Sequence, residues 1–216
     1  MSLTNAPEQR MPKCLRGFEH IKRSWDKTHE CWTARLLPGE FYVTTSGESI
    51  NTVLGSCISV CICDPTIKVG GMNHFMLPAQ GEHSSQTWGD PTSSSTRYGN
   101  FAMEYLINTI IKHGGRKQNF QAKIFGGGQV LANMTDVGQR NILFAFDYLR
   151  KEGIDVQASD VGDIYPRKVV YFPQSGRVKM KHLATEKNRA LEKTERAYML
   201  DVNKVKPAED DNVELF

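Results

Sequence analysis

Charge of one sign is scarce in this 216-residue chain: 27 Lys and Arg face 24 Asp and Glu, leaving a formal +3. No basic stripe stands clear of its acidic neighbours, which removes the electrostatic case for nucleic acid as a partner. Long hydrophobic runs are missing too. No apolar stretch approaches the roughly 18 residues that a membrane-spanning helix needs, so no membrane insertion is expected. The first twenty residues, MSLTNAPEQRMPKCLRGFEH, carry no apolar segment of the secretory kind. Cysteine is sparse and odd in number, five in all, which disfavours a disulfide framework. A cytoplasmic protein with reduced thiols is expected. No internal repeat is visible.

What remains is an ordinary globular composition, 39% apolar and 24% charged, long enough for one large domain with a core of its own. The division expected is a polar N-terminal arm over 1–35, a single domain over 36–200 and an acidic tail over 201–216. From Phe41 the chain is rich in strand formers. FYVTT and the pair of runs INTVLGSC–ISVCIC and KVGGMNHFML, the latter two separated by the turn Asp-Pro-Thr, read as neighbouring strands. A Ser-rich polar loop follows, and its stretch Gly81 to Thr96 is a candidate rim for a binding cleft. Helical spacing marks residues 98–113. FQAKIF is a strand closed by three glycines at 126–128, and Asp136 with Gln139 opens a second helix with capping-box spacing. Later strands IDVQASDVG, RKVVYF and GRVKMKHL, the last two joined by PQSG, precede a charged helix near 185–199. Strands and helices intermix irregularly, which favours α+β over a doubly wound parallel sheet.

The chemistry concentrates in TVLGSCISVCICDP, residues 52–65. Cys57, Cys61, Cys63 and His74 are potential zinc ligands. Residues two apart on one strand stand about 7 Å from each other, however, so three in a row close poorly on one tetrahedral ion. Cys61 and Cys63, between Val60 and Ile62, read as small core hydrophobes, and Cys14 and Cys31 have nothing catalytic beside them. Cys57 differs, because it follows Leu54-Gly55-Ser56 where a turn passes into a strand. Glycine there permits a sharp turn and close approach, and backbone N–H groups near Ser56 and Cys57 can face a developing oxyanion. A free thiol needs help to ionise at neutral pH. Pairing of the ISVCIC and NHFML strands would bring His74 to it. Composition alone leaves two readings open, a reactive Cys57–His74 pair or two buried core residues. The reactive reading requires thiol and ring to be close together and open to solvent.

The sequence resembles the CheD family of chemoreceptor glutamine deamidases. TVLGSC followed by DP, then GGMNHFMLP with its histidine seventeen residues after the cysteine, carry the likeness. RYGNFAMEYLIN, AKIFGGG, VGQRNI, ASDVG and YPRKVVYFPQSGRV continue it in order across roughly residues 36–183. The resemblance implies packed mixed β-sheets flanked by helices, similar to the catalytic domain of cytotoxic necrotizing factors. It implies a protein-glutamine glutaminase that hydrolyses selected glutamines of the cytoplasmic domains of chemotaxis receptors, with some members also cleaving glutamyl methyl esters. Neither metal nor cofactor is implied. A CheC-like phosphatase is an implied partner, and an adaptor role through CheC or receptors is the alternative to catalysis. Cys57 falls on the family's nucleophile and His74 on its histidine. The family's third residue, a threonine six before the cysteine, is replaced by Asn51. Alternation of faces along an extended chain puts Asn51 on the side of Cys57, which makes it the expected partner of His74, with the neighbouring Thr52 as fallback. Gly55 and Ser56 are the expected oxyanion and substrate-binding residues. Asp163, in DVGD, stands where the family commonly has glycine.

Overall fold

The computed structural model describes residues 10–78, 94–130, 135–184 and 188–204. Among them lie ten strands and three α-helices, in the order β1 Arg23–Asp26, β2 Cys31–Arg35, β3 Phe41–Thr44, β4 Ser49–Leu54, β5 Ile58–Asp64, β6 Val69–Asn73, α1 Ser94–Lys112, β7 Gln121–Gly126, α2 Thr135–Lys151, β8 Asp155–Val161, β9 Arg167–Phe172, β10 Arg177–His182 and α3 Asn188–Lys204. Two mixed five-stranded sheets result, ordered β1-β2-β4-β9-β10 and β3-β6-β5-β7-β8. β2 and β4 run parallel, as do β7 and β8; the other pairs are antiparallel. The fold is α+β, as the irregular mixture of elements predicts.

β5 shows why the sheets pack. Every one of its residues is buried, as expected of a continuous apolar run covered on both faces. One face meets the first sheet, where the Cys63 thiol lies against Tyr171 of β9. The helix α2 covers the second sheet over β5, β7 and β8, and α1 covers it over β6 and β3. Fully burying each such apolar side chain contributes about 1.5–3 kcal/mol. Cys61 and Cys63 lie inside this core, the packing role their surroundings predict.

Two boundaries differ from expectation. The arm expected over 1–35 contains a hairpin of the first sheet: β1 pairs with β2 through Trp25↔Trp32, and β2 pairs in parallel with β4. Arg23 explains part of this, since it donates to the buried Glu48 carboxylate beside β4 at 3.0 Å. Such a tie spans 25 positions and has no local signature. The helix α3 extends to Lys204, beyond the expected limit at 200. The rim proposed for Gly81 to Thr96 lies outside the described residues except for the start of α1, and the acidic tail beyond 204 lies outside them as well.

The chain passes between the two sheets after β2, β3, β4 and β8, and the passage after β4 builds the site. β4 belongs to the first sheet and β5 to the second, so Gly55-Ser56-Cys57 is the crossing from one to the other. β5 and β6 pair antiparallel from Cys61↔Met72, and the ladder resumes at Ile58↔Phe75. His74 is thereby carried back to the crossing.

Candidate active site

The crossing is built so that its carbonyls point outward and its N–H groups inward. The Gly55 carbonyl accepts from Gly128 N–H at 2.7 Å, and the Cys57 carbonyl from Gly127 N–H at 2.7 Å. The Ser56 carbonyl accepts from Asn141 Nδ2 at 2.8 Å, while Asn141 Oδ1 takes the Leu77 N–H at 2.8 Å. All three carbonyls are thus held from outside, by the triple glycine after β7 and by α2. Gly126 cannot be replaced cheaply. Its φ is +110°, and a Cβ there would stand 2.2 Å from the Cys57 carbonyl oxygen. The 126–128 glycines therefore border the site by close backbone approach.

The inward N–H groups converge on a carboxylate. Gly55 N–H and Cys57 N–H donate to Glu195 Oε1 at 2.8 and 3.3 Å. Ser56 N–H and Ser56 Oγ donate to Oε2 at 2.8 and 2.6 Å. Successive backbone donors around one anion form a nest of the kind that binds oxyanions. A Cβ on Gly55 would sit 2.7 Å from Oε2, so only glycine lets the carboxylate in this close.

His74 is fixed from both its backbone and its ring. Its N–H donates to the Glu40 carbonyl at 2.9 Å, and its carbonyl accepts from Gly39 N–H at 2.7 Å. Its Nδ1 lies 2.8 Å from Thr52 Oγ1. The Thr52 hydroxyl has one proton, and it goes to the Leu36 carbonyl at 2.9 Å. Thr52 Oγ1 must then accept, so Nδ1 carries the ring proton and Nε2 is left as the bare, basic nitrogen. Nε2 is buried and has no hydrogen-bond partner among the described residues. The Cys57 thiol, a ring nitrogen of His74 and a Glu195 oxygen all lie within 4.8 Å of one another.

The order of preference between Asn51 and Thr52 is reversed by these contacts. Asn51 Nδ2 donates to Thr33 Oγ1 of β2 at 2.8 Å, and Thr52 reaches the imidazole. Face alternation holds within β4 but does not survive the turn at Gly55 and Ser56, so counting six residues back from Cys57 selects the wrong side. Asp163 has φ +61°, the left-handed region that glycine prefers. Its carbonyl accepts from Gln129 N–H at 2.7 Å, which ties that loop to the triple glycine.

A second correction concerns access. Cys57 and His74 were expected to be open to solvent, yet their relative exposures are 0% and 1%. Burial holds the His74 pKa down at about 3. Burial pushes the Cys57 thiol well above its ordinary value, and the adjacent Glu195 charge pushes it the same way. Both groups are neutral in this arrangement. Tyr98 of α1 and Tyr198 of α3 share a hydroxyl hydrogen bond nearby.

Glu195 is the residue that sequence reasoning missed. Its signal was a break in pattern. Within α3, Leu191, Tyr198, Met199 and Val202 fall at helical stripe spacing, and Glu195 occupies a stripe position that would otherwise be apolar. Cys57, His74 and Glu195 also offer sulfur, nitrogen and oxygen donors to a cation. The carboxylate, however, already accepts four hydrogen bonds, which is how an anion is held rather than how a ligand is presented.

Comparison with known proteins agrees with the sequence motifs. The family model described as CheD chemotactic sensory transduction matches residues 76–182. A protein of Halorhodospira halophila named probable chemoreceptor glutamine deamidase CheD is 50% identical over 206 residues, 95% of this chain and 94% of that protein. One of Saccharophagus degradans with the same name is 46% identical, covering 99% of this chain and 98% of its own length. A solved structure from Neisseria meningitidis matched to the DUF152 family model overlaps with a TM-score of 0.32 at 14% identity, over 57% of this chain and 52% of that one. So slight an overlap carries no weight for the fold.

Proposed function

Because this chain belongs to the CheD family, matching its relatives over almost their whole length, we propose that it is a chemoreceptor glutamine deamidase, converting selected receptor glutamines to glutamate with release of ammonia. The observation that carries this is the N–H nest at 55–57, occupied by the carboxylate of a glutamate side chain beside a thiol and an imidazole. A glutamine carboxamide has the same shape and places its carbonyl oxygen where Glu195 places a carboxylate oxygen.

The chemistry follows from the contacts. Cys57 Sγ attacks the carboxamide carbon as His74 Nε2 takes the thiol proton. The Gly55 and Cys57 N–H groups, which share one oxygen of Glu195, hold the oxyanion, and such a donor is worth about 10²–10³ in rate. As the C–N bond breaks, Nε2 returns the proton to the leaving ammonia. Water then adds to the thioester, giving its proton to Nε2. Collapse releases glutamate and restores the thiol. Thr52 keeps the proton on Nδ1 throughout, so that Nε2 is the working nitrogen. Methyl esters present the same carbonyl geometry and are a second substrate class for this mechanism. Receptor cytoplasmic domains are the substrate partners in this reading, and a cytoplasmic location goes with it. The test is mass spectrometry of a receptor cytoplasmic domain co-expressed with this protein. Each converted glutamine gains about one mass unit, and no gain in any receptor domain of the host would overturn the assignment.

A further inference from the structure

Helix α3 occupies the site from its own side of the molecule. It buries a narrow stripe: Glu195 is 0% exposed and Met199 and Val202 are 5% exposed. Tyr198 packs partly buried against the core. Lys193, Thr194, Arg196, Ala197, Leu200 and Asp201 face solvent. Few apolar contacts hold such a helix, at about 1.5–3 kcal/mol per fully buried side chain, an amount another helix can replace.

The nest does not depend on its guest. Its three carbonyls are fixed by Gly127, Gly128 and Asn141, none of which belongs to α3. A buried carboxylate without a cation is normally costly, and the four donors around Glu195 are all neutral. Glu195 therefore sits in a preformed oxyanion site, in the position of a reaction product. While it does so, Cys57 and His74 are sealed from any glutamine on another protein.

We propose that α3 is a resident product mimic. The chain's own helix fills the groove in which a substrate helix docks, Glu195 stands in for the product glutamate, and α3 must be displaced before turnover. With the deamidase assignment as premise, α3 also records what the groove accepts: a helix presenting a glutamine with apolar residues three, four and seven positions later, as Tyr198, Met199 and Val202 follow Glu195. The raised thiol pKa beside the Glu195 charge is a consequence, since the plug keeps the nucleophile protonated as well as covered.

Full-chain variants test this. In Glu195→Ala, carbamidomethylation of Cys57 by iodoacetamide at neutral pH is expected to run at least tenfold faster than in the wild type. This readout needs no deamidase activity, so it judges the plug separately from the reaction. Equal rates in a folded Glu195→Ala protein would overturn the proposal. If that variant does not fold, Val202→Asp, which weakens α3 docking and leaves the nest untouched, takes its place under the same criterion. Glu195→Gln puts a carboxamide into the nest. Cys57 is expected to cleave its C–N bond, releasing one ammonia, and water to cleave the thioester, leaving glutamate at 195 and a gain of one mass unit. Conversion must vanish in the Cys57→Ala, Glu195→Gln double variant. A wild type that deamidates receptor fragments beside a Glu195→Gln protein that never converts would sink the product mimic and spare the enzyme assignment. The reverse holds if the Ala variant is activated toward iodoacetamide and no receptor fragment is touched.

Discussion

Thr52 Oγ1 lies 2.8 Å from His74 Nδ1 and donates its only proton 2.9 Å away to the Leu36 carbonyl. One hydroxyl thereby links two sheets and decides a tautomer. β4 supplies it from the first sheet, and the imidazole arrives at the end of β6 in the second. An asparagine in its place could present either an oxygen or an N–H to the ring; a hydroxyl already committed as donor can only accept.

Thr52→Val keeps the volume and removes the acceptor, leaving the ring N–H and the Leu36 carbonyl unpaired. An orphaned buried group costs about 1–3 kcal/mol, so kcat should fall roughly tenfold to a hundredfold, with KM little changed. Asn51→Ala should leave kcat within about twofold, the range of a contact worth under 0.5 kcal/mol. Steady-state ammonia release from a receptor fragment measures both, and a larger loss in Asn51→Ala would return the orienting role to that residue.

Cys57→Ala should abolish ammonia release while circular dichroism and thermal unfolding stay near wild type. Dialysis against EDTA should leave wild-type turnover intact. Turnover persisting in Cys57→Ala would remove the thiol from the mechanism. Turnover lost on chelation and restored by zinc would recast Cys57, His74 and Glu195 as ligands.

Asn141→Ala strips the donor from the Ser56 carbonyl and the acceptor from the Leu77 N–H, both at 2.8 Å in the folded chain. Two buried orphans predict a loss of about 2–4 kcal/mol, with water able to repair part of it. Because the nest loosens too, turnover should fall in the variant even at temperatures where it is fully folded. Urea unfolding gives the first number and ammonia release the second; a change below about 0.5 kcal/mol would mean the crossing is held by the glycines alone.

His74 makes the fold sensitive to acid. Its folded pKa is depressed to about 3 from 6.5 by burial. Below 6.5 the unfolded chain binds a proton that the folded chain refuses, so stability is full above that pH and lost as pH falls towards the folded value. The slope approaches about 1.4 kcal/mol per pH unit. His74→Gln should flatten the curve of unfolding free energy between pH 6.5 and roughly 4.5, before carboxylates titrate. Superimposable slopes for the two proteins would show that the ring is charged or exposed in the folded state.

Local pattern made much of this molecule readable. The all-buried run of β5, the Asp-Pro-Thr turn before β6 and the hairpin of β9 and β10 each follow from residues adjacent in sequence, because periodicity and turn chemistry act over a few positions. Cys57 and His74 were legible for the same reason, being the two ends of one antiparallel pair. What local pattern misjudged was phase. The turn at Gly55 and Ser56 resets the alternation of faces, and Thr52 rather than Asn51 ends up beside the ring.

By itself, the sequence determined the strands from Phe41 onward, the helices, the core cysteines and the identity of a thiol and an imidazole placed to meet. Only the tertiary structure decided that three N–H groups turn inward at the crossing, that Thr52 sets the tautomer, and that Glu195 arrives from a helix 138 positions away to fill the nest. The reason is physical: an amide's direction and a long-range contact depend on which distant carbonyls and donors close around it, and no periodicity along the chain encodes that.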